Sequence, residues 1–320
     1  DKRRFPPHGL LGGRDGSPSW NIVVSDGGER VVPALMTEVE TLRAGDIYQV
    51  NLAHRLTSTF EGSPRSLFLS LMRSARPWYG AYLEFKDTDG RDRIIASASP
   101  ELFLDFDPAS RRITTRPMKG TRRGDADPRE LLASTKDQAE LNMITDLMRN
   151  DLGRICDFGS VRVESARDLE RHGSSAPSSP HHVITSSPGI LQTTSTIRGT
   201  VRPSLAPADI LAATFPGGSI TGAPKIRAMQ IIDELEPVAR GPYCGCIGFL
   251  GDDSRLSLSI AIRTALLTRA KGQTALRQTL APQTFTLDYS VGAGIVADSD
   301  PESEWAETLA KAAVLDGVRR

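Results

Sequence analysis

Residues 255–267 read RLSLSIAIRTALL. Apolar and polar side chains alternate along much of this stretch, with the two-residue period of a β-strand. Similar runs occur at 47–56 (IYQVNLAHRL), 78–85 (WYGAYLEF) and 284–296 (TFTLDYSVGAGIV). A few strong helices are interspersed with these strands and do not alternate strictly with them. This order favours an α+β fold with mainly antiparallel sheet.

The composition is that of a globular protein with a specific small ligand. Of 320 residues, 39% are hydrophobic and 24% are charged, and 39 basic residues balance 39 acidic ones. A formal net charge of zero creates no field to attract nucleic acid or an acidic membrane, so neither is expected as a partner. No apolar run reaches the length of a membrane span and no secretory signal is visible, which predicts a cytoplasmic protein.

Two predicted helices each carry two acidic residues three positions apart. One runs over about 134–150 and is capped by Ser134, and the other runs over 301–316. At that spacing two carboxylates share one side of a turn. If the helices face each other, the converging carboxylates are hard oxygen ligands suited to magnesium. If they do not, the pairs are solvated surface, and the spacing leaves both alternatives open. The residues are Asp137 and Glu140 in the first helix and Glu304 and Glu307 in the second.

Two glycine-rich segments could approach a ligand with their backbone amides. Residues 215–237 read FPGGSITGAPKIRAMQIIDELEP, which lacks the Walker order of glycine, lysine and hydroxyl, so nucleotide binding is not expected. Its amides could hold a carboxylate, or the segment could be a structural turn. The turn at 292–294 (GAG) has the same two interpretations.

The segment RPMKGTRRG, residues 116–124, places Lys119 among several arginines. Neighbouring cations lower the pKa of an ammonium group and could supply a free amine for nucleophilic attack. An exposed basic loop would have the same composition, so this alternative also stays open.

Taken in order, the motifs resemble those of the chorismate-utilising enzymes, and most closely component I of aminodeoxychorismate synthase. They run from about residue 35 to 315 in the order of the family. The matching segments are GDIYQVNLAHRL, SASPELFL, RPMKGTRRG, KDQAELNMITDLMRNDLGRIC, STIRGTV, FPGGSITGAPKIRAMQIIDELEPVARGPYCGCIGFL, LSIAIRT and GAGIVADSDPESEWAETLAKA.

The resemblance implies a chorismate-binding fold, in which two packed, mainly antiparallel β-sheets are flanked by helices and enclose the site. We expect residues 35–320 to form this catalytic domain and residues 1–34 to be an N-terminal remnant or linker. Family members commonly have a longer N-terminal part than this.

The same resemblance implies a role for each matching residue. Lys119 matches the nucleophile, and Glu101 matches the general acid for the departing ring hydroxyl. Mg²⁺ is the expected cofactor, with Glu140 and Glu307 as its ligands and Asp137 and Glu304 as water-mediated support. The substrate-binding residues by this resemblance are Gln49, Thr121, Gln192, Tyr243, Arg263, Gly292, Ala293, Gly294 and Lys311.

Two positions separate the branches of the family. The segment 117–121 (PMKGT) is similar to the PIKGT of aminodeoxychorismate synthase, whereas the anthranilate branch has PIAGT. Gln49 stands where isochorismate synthases have a lysine that activates water, so ammonia is the expected nucleophile. Gln192 departs from the family, which has an active-site histidine there, and catalytic use of His181 and His182 is not expected.

The sequence therefore predicts an aminodeoxychorismate synthase component that converts chorismate and ammonia to 4-amino-4-deoxychorismate, on the route to p-aminobenzoate and folate. A separate glutamine amidotransferase subunit is the expected ammonia donor, because no amidotransferase nucleophile is recognisable. The alternatives are component I of anthranilate synthase and a catalytically silent chorismate-binding module.

Overall fold

The computed structural model describes most of the chain between residues 45 and 315. The described residues are 19–24, 45, 47–172, 190–269, 283–312 and 314–315. Most of the predicted 1–34 region lies outside them, as do His181 and His182, so the proposed boundary at residue 35 stays a prediction.

Within these residues, fourteen strands form two antiparallel seven-stranded sheets, which confirms the predicted α+β class. In spatial order, the first sheet contains β1 (Ser19–Val24), β2 (Gln49–Glu61), β14 (Thr284–Ile295), β13 (Thr264–Arg269), β4 (Asp92–Ser99) and β3 (Tyr79–Lys86), and β10 (Gly222–Ala223) also pairs with β2. The second contains β11 (Cys246–Leu250), β12 (Leu256–Ile260), β5 (Leu102–Asp107), β6 (Arg112–Arg116), β9 (Ile190–Thr200) and β7 (Met118–Arg123), and β8 (Arg162–His172) also pairs with β9.

The helices of the described residues flank the sheets. They are α1 (Pro64–Ala75), α2 (Pro128–Ala133), α3 (Thr135–Gly153), α4 (Pro207–Thr214), α5 (Lys225–Leu235) and α6 (Pro301–Ala312), with a 3₁₀ turn at Gly218–Ile220. None of them is long and apolar enough to cross a membrane. The N-terminus of α3 is capped as predicted, since the backbone N–H of Asp137 donates to Ser134 Oγ at 3.2 Å.

The opening stretch 255–267 is strand-like throughout but forms two strands in different sheets. Ile260 pairs with Cys246 in the second sheet, and Thr264 pairs with Ser97 in the first. Between them Arg263 has φ +51°, a left-handed conformation that turns the chain from one sheet to the other. The strand-like pattern is confirmed on both sides of this turn, but the turn itself was not predicted, because alternation reports burial and cannot report a change of sheet.

A second crossing runs beside the first. The chain leaves β4 at Ser99 and enters β5 at Leu102, so Glu101 lies at the crossing. The backbone N–H of Ile260 donates to Glu101 O at 3.1 Å. The two crossings thus lie side by side, and each carries one of the predicted site residues.

Candidate active site

A cavity of about 710 Å³ lies where the two sheets and helices α3 and α6 meet. All but two of the predicted site residues line it. The predicted site residues that line the cavity are Glu101, Lys119, Thr121, Asp137, Glu140, Gln192, Tyr243, Arg263, Gly292, Gly294, Glu304, Glu307 and Lys311. The convergence that the sequence left open is therefore present, whereas the roles of these residues stay predictions.

The two exceptions are Gln49 and Ala293. Gln49 is buried directly beside the cavity wall, with its Nε2 atom 3.0 Å from the position of a Cβ on Gly294. The side chain of Ala293 lies in an apolar cluster with Val50 and Ile231 instead. Successive side chains of a strand point to opposite faces, so only the backbone of Ala293 could contact a ligand.

Gly292 and Gly294 face the cavity from within β14, not from a turn. A Cβ on Gly292 would lie 2.6 Å from Leu52 O and 3.1 Å from Tyr243 Oη, and one on Gly294 would lie 2.7 Å from Lys119 Nζ. Contacts under 3 Å are too close for a Cβ, so glycine is what lets the strand form this wall. Beyond Tyr289, β14 pairs with β2 alone among the described strands, which leaves its other edge open.

Lys119 reaches the cavity from β7 and forms an ion pair across it. Its Nζ atom lies 2.7 Å from Glu140 Oε2 on helix α3. The register of β7 shifts beside it at Gly120, where φ is +71° and a Cβ would lie 2.8 Å from Leu131 Cδ1. Glycine is thus required next to the lysine for both conformation and space.

The lowering of the Lys119 pKa by arginines, which the sequence left open, does not occur in this arrangement. Burial lowers the pKa of Lys119, but the carboxylates of Glu140, Glu307 and Glu304 together raise it by more, so the pKa stands above its ordinary value. Arg116 is paired with Glu170 and Arg122 with Asp137. Those guanidinium charges are therefore neutralised by partners of their own.

Glu101 has the environment of a proton donor. Burial raises its pKa to about 7, against the opposing effects of Ser219, Lys119 and Arg263. Ser219 Oγ donates to Glu101 Oε1 at 2.7 Å. A carboxyl group with this pKa is partly protonated at neutral pH. The sequence did not indicate that Ser219 contacts Glu101, because 118 residues separate them.

Arg263 extends into the cavity without a partner. In the described part of the chain its guanidinium has no ion pair or side-chain hydrogen bond, and burial lowers its pKa. A buried cation without a counter-ion is unfavourable, so this position favours an anionic ligand. The crossing between sheets is what directs the side chain here.

The carboxylates of Glu140 on α3 and Glu304 on α6 lie on either side of one ammonium group, that of Lys136. Glu304, 3% exposed, accepts hydrogen bonds from Ser299 Oγ at 2.7 Å and from Lys136 Nζ at 3.0 Å. Lys136 Nζ also lies 3.9 Å from Glu140 Oε1. Sequence analysis assigned no role to Lys136.

Glu307 and Lys311 form a second pair on the outer part of the cavity. Lys311 Nζ lies 2.8 Å from Glu307 Oε1 and donates to Gly292 O at 2.8 Å. Burial raises the pKa of Glu307, but the nearby lysines lower it by more, so it is ionised more readily than an ordinary glutamate. Lys311 therefore holds α6 against the open edge of β14.

Among the described residues, no three Asp, Glu, His or Cys side chains converge as a ready-made metal cage. A cation would be held by one or two carboxylates together with water or ligand oxygens. Magnesium is commonly bound in this way, and calcium is not. The donor set at Glu140 and Glu307 fits magnesium on that ground.

Gln192 and Thr121 face each other across neighbouring strands. Gln192 Nε2 donates to Thr121 Oγ1 at 3.1 Å, while Gln192 Oε1 is buried without a hydrogen-bond partner. An amide at this position can donate and accept hydrogen bonds but cannot transfer a proton as an imidazole does.

Helix α6 is anchored from outside the cavity by His54, a further residue that sequence reasoning missed. Thr308 Oγ1 donates to Trp305 O at 2.8 Å and lies 2.9 Å from His54 Nε2. The hydroxyl proton is used in the first bond, so His54 Nε2 must be the donor in the second. Burial lowers the pKa of His54 to about 4, which keeps the ring neutral.

Comparison with known proteins places this geometry in a family. A family model described as chorismate binding enzyme matches residues 34–316. The chain belongs to the chorismate-binding enzymes. The matched segment includes all of the predicted site residues.

Individual relatives include two activities at the same level of similarity. Aminodeoxychorismate synthase component 1 of Escherichia coli is 41% identical over 279 residues, 85% of this chain and 53% of that protein. Anthranilate synthase component 1 of Haloarcula marismortui is 40% identical over 281 residues, 86% of this chain and 48% of that protein. The chain thus spans about half the length of the curated relatives that it matches.

A solved structure supports the fold. Anthranilate synthase component I of Streptococcus pneumoniae superimposes with a TM-score of 0.73 at 30% identity, over 93% of this chain and 59% of that one. The two-sheet architecture is therefore that of this family.

Proposed function

We propose that this chain is component I of an aminodeoxychorismate synthase, which converts chorismate and ammonia to 4-amino-4-deoxychorismate. The observation that carries the proposal is the position of Lys119. Its amine faces the same cavity as Glu101 and Arg263 and lies against the glycine wall of β14. The anthranilate branch resembles PIAGT at this point and has no amine to offer there.

The covalent step uses Lys119 as the nucleophile. Its free amine adds to ring C2 of chorismate while the 4-hydroxyl departs, and Glu101 supplies the proton that lets the hydroxyl leave as water. Ammonia then adds at C4, and Lys119 leaves from C2 with its electron pair. Before the first step Lys119 must give up its proton and its contact with Glu140.

The substrate is held through its two carboxylates. Arg263 and the backbone around Gly292 and Gly294 would bind one of them. Glu140 and Glu307 would hold Mg²⁺, with Asp137 and Glu304 acting through water, and the bound ion would neutralise the other carboxylate and fix the ring. Thr121, Gln192, Tyr243 and Lys311 would complete the walls.

Ammonia, and not water, is the proposed nucleophile because residue 49, which lies beside Lys119, is a glutamine. An amide is not a base that could activate water. We also propose that a glutamine amidotransferase subunit supplies the ammonia in the cytoplasm and that the product serves p-aminobenzoate and folate synthesis.

Two other functions are distinguished by their products. Component I of anthranilate synthase is the second candidate, since relatives of that name are equally similar. A catalytically silent chorismate-binding module is the third, because Gln192 replaces a family histidine.

The test is mass spectrometry of the products formed from chorismate, MgCl₂ and ammonium chloride by the wild type and Lys119→Ala. We expect 4-amino-4-deoxychorismate from the wild type and a loss of about 10³-fold or more in Lys119→Ala, as is typical when a nucleophile is removed. Arg149→Ala, on the exposed face of α3, is the control and should turn over normally.

Each alternative has a different result. Anthranilate as the product would support the second candidate. Chorismate binding without any product would support the silent module. Full activity of Lys119→Ala would contradict the covalent mechanism.

A further inference from the structure

Lys136 joins the two acidic helices. It lies in the first turn of α3, with its Nζ atom 3.0 Å from Glu304 Oε1 and 3.9 Å from Glu140 Oε1. The side chain of Lys136 is 54% exposed, whereas the side chains of Glu304 and Glu140 are only 3% and 8% exposed. The ammonium group is therefore the half of this contact that can move into solvent.

The position of this ammonium group is governed by charge balance. Two buried carboxylates on separate helices repel each other unless a cation lies between them. Glu140 is shared between Lys119 and Lys136, and Glu304 is shared between Lys136 and a neutral hydroxyl, that of Ser299. Lys136 is thus the cation that bridges α3 and α6.

The pair formed by Arg149 and Asp146 shows what an ordinary ion pair on the same helix looks like. Its N···O distance is 2.7 Å, but its side chains are 49% and 75% exposed. Such a pair contributes little to stability because both partners are solvated. Lys136 differs in that both of its partners are buried and belong to different helices.

We infer that Lys136 is an internal cation that competes with the divalent cation for the carboxylates of Glu140 and Glu304. This rests on the proposed magnesium site. A divalent ion at Glu140 repels an ammonium group on the same carboxylate. Binding of the ion therefore drives the ammonium group of Lys136 outward into solvent. Lys136 then sets two properties: it weakens magnesium affinity, and it keeps α6 docked on α3 when magnesium is scarce.

The first experiment is calorimetric titration of MgCl₂ into the chelator-treated protein. Lys136→Met keeps the apolar stem and removes the charge, and we expect it to bind Mg²⁺ on the order of tenfold more tightly than the wild type. Lys136→Arg restores the charge and should restore the weaker binding. Arg149→Met removes a positive charge from the same helix and should bind as the wild type does.

The second experiment measures thermal unfolding without using activity. In EDTA, Lys136→Met should unfold several degrees below the wild type, and hydrogen exchange of residues 301–312 should be faster. Saturating MgCl₂ should remove both differences, because the ion then takes over the bridge between the helices.

The results distinguish a failure of this inference from a failure of the proposed metal site. Equal or weaker Mg²⁺ binding by Lys136→Met, with normal binding by the wild type, would overturn the competition and leave the proposed site standing. Tighter binding by Arg149→Met of the same size would also overturn it, since the effect would then be general charge. Absence of Mg²⁺ binding in the wild type and in Lys136→Met would overturn both.

Discussion

Helix α3 carries two buried carboxylates, each paired with a lysine, and the two pairs differ in their surroundings. Near its C-terminal end, both oxygens of Asp151 lie 2.7 Å from Lys225 Nζ, which also donates to Thr214 O at 3.3 Å. Near its N-terminal end, one oxygen of Glu140 lies 2.7 Å from Lys119 Nζ. The first pair is closed by protein, and the second faces the cavity.

The difference shows that the environment, and not the residue type, decides what a lysine–carboxylate pair does. Asp151 and Lys225 fasten the end of α3 to the start of α5, and neither of them lines the cavity. Glu140 and Lys119 can each give up their ion pair and bind a ligand instead, because both line the cavity. We therefore expect the same two groups to serve stability in one place and chemistry in the other.

Glu140→Gln tests this contrast with the largest expected effect. We expect kcat/KM for chorismate to fall by at least about 100-fold, since mutation of even the outer partners of metal ligands typically costs 10- to 100-fold. The free energy of unfolding should change by about 1 kcal/mol or less, because water can enter the cavity and solvate Lys119. Steady-state kinetics and urea unfolding of the same preparation measure the two quantities. Normal turnover would contradict a role for Glu140 in the site.

Asp151→Asn should reverse the pattern. Removal of one partner of a buried ion pair leaves an uncompensated charge, so the free energy of unfolding should fall by about 3–5 kcal/mol. The KM for chorismate of the folded fraction should be unchanged. Asp146→Asn, which breaks the exposed pair with Arg149, is the matched control and should change the unfolding free energy by less than about 1 kcal/mol. Equal losses of unfolding free energy in Asp151→Asn and Asp146→Asn would mean that burial does not decide how much an ion pair contributes to stability.

Glu101 sharpens the comparison because it is a buried carboxyl group with no lysine in contact. Its pKa is about 7 in the folded protein and 4.5 as a free side chain, so folding favours its protonated form. Stability is therefore lost as the pH rises from about 4.5 to 7. In Glu101→Gln we expect this loss to be smaller by roughly 2 kcal/mol at pH 8, while turnover is abolished. Urea unfolding from pH 4.5 to 8 measures it, and parallel curves for the two proteins would refute the raised pKa.

Exchange of the closed pair for apolar residues should have the smallest effect. Asp151→Leu combined with Lys225→Met leaves no unpaired charge, and such exchanges are often nearly neutral. We expect an unfolding free energy within about 2 kcal/mol of the wild type and unchanged KM for chorismate. A double variant as unstable as Asp151→Asn would show that the pair has a specific structural role beyond mutual neutralisation.

Much of the fold and the composition of the site could be predicted from the sequence. The cap at Ser134, the acidic pairs of α3 and α6 and the α+β class depend on local spacing, and the structure bears these out. The stretch 255–267 shows the limit, because its alternation is continuous although the chain changes sheet at Arg263. The glycines of 292–294 were similarly recognised as a close approach and lie in the strand-like run 284–296, but they were interpreted as a turn, whereas the structure has them in β14.

By itself, the sequence determined which residue types are present and which faces of the strands and helices are apolar, since periodicity and motif order are local properties. Only the tertiary structure decided their partners: Glu140 and not the arginines around it governs Lys119, and Lys136 bridges to Glu304 across 168 positions of sequence. The physical reason is that charge interactions depend on distance in space and on exclusion of water. Both quantities are set by how sheets and helices pack, and no spacing along the chain contains them.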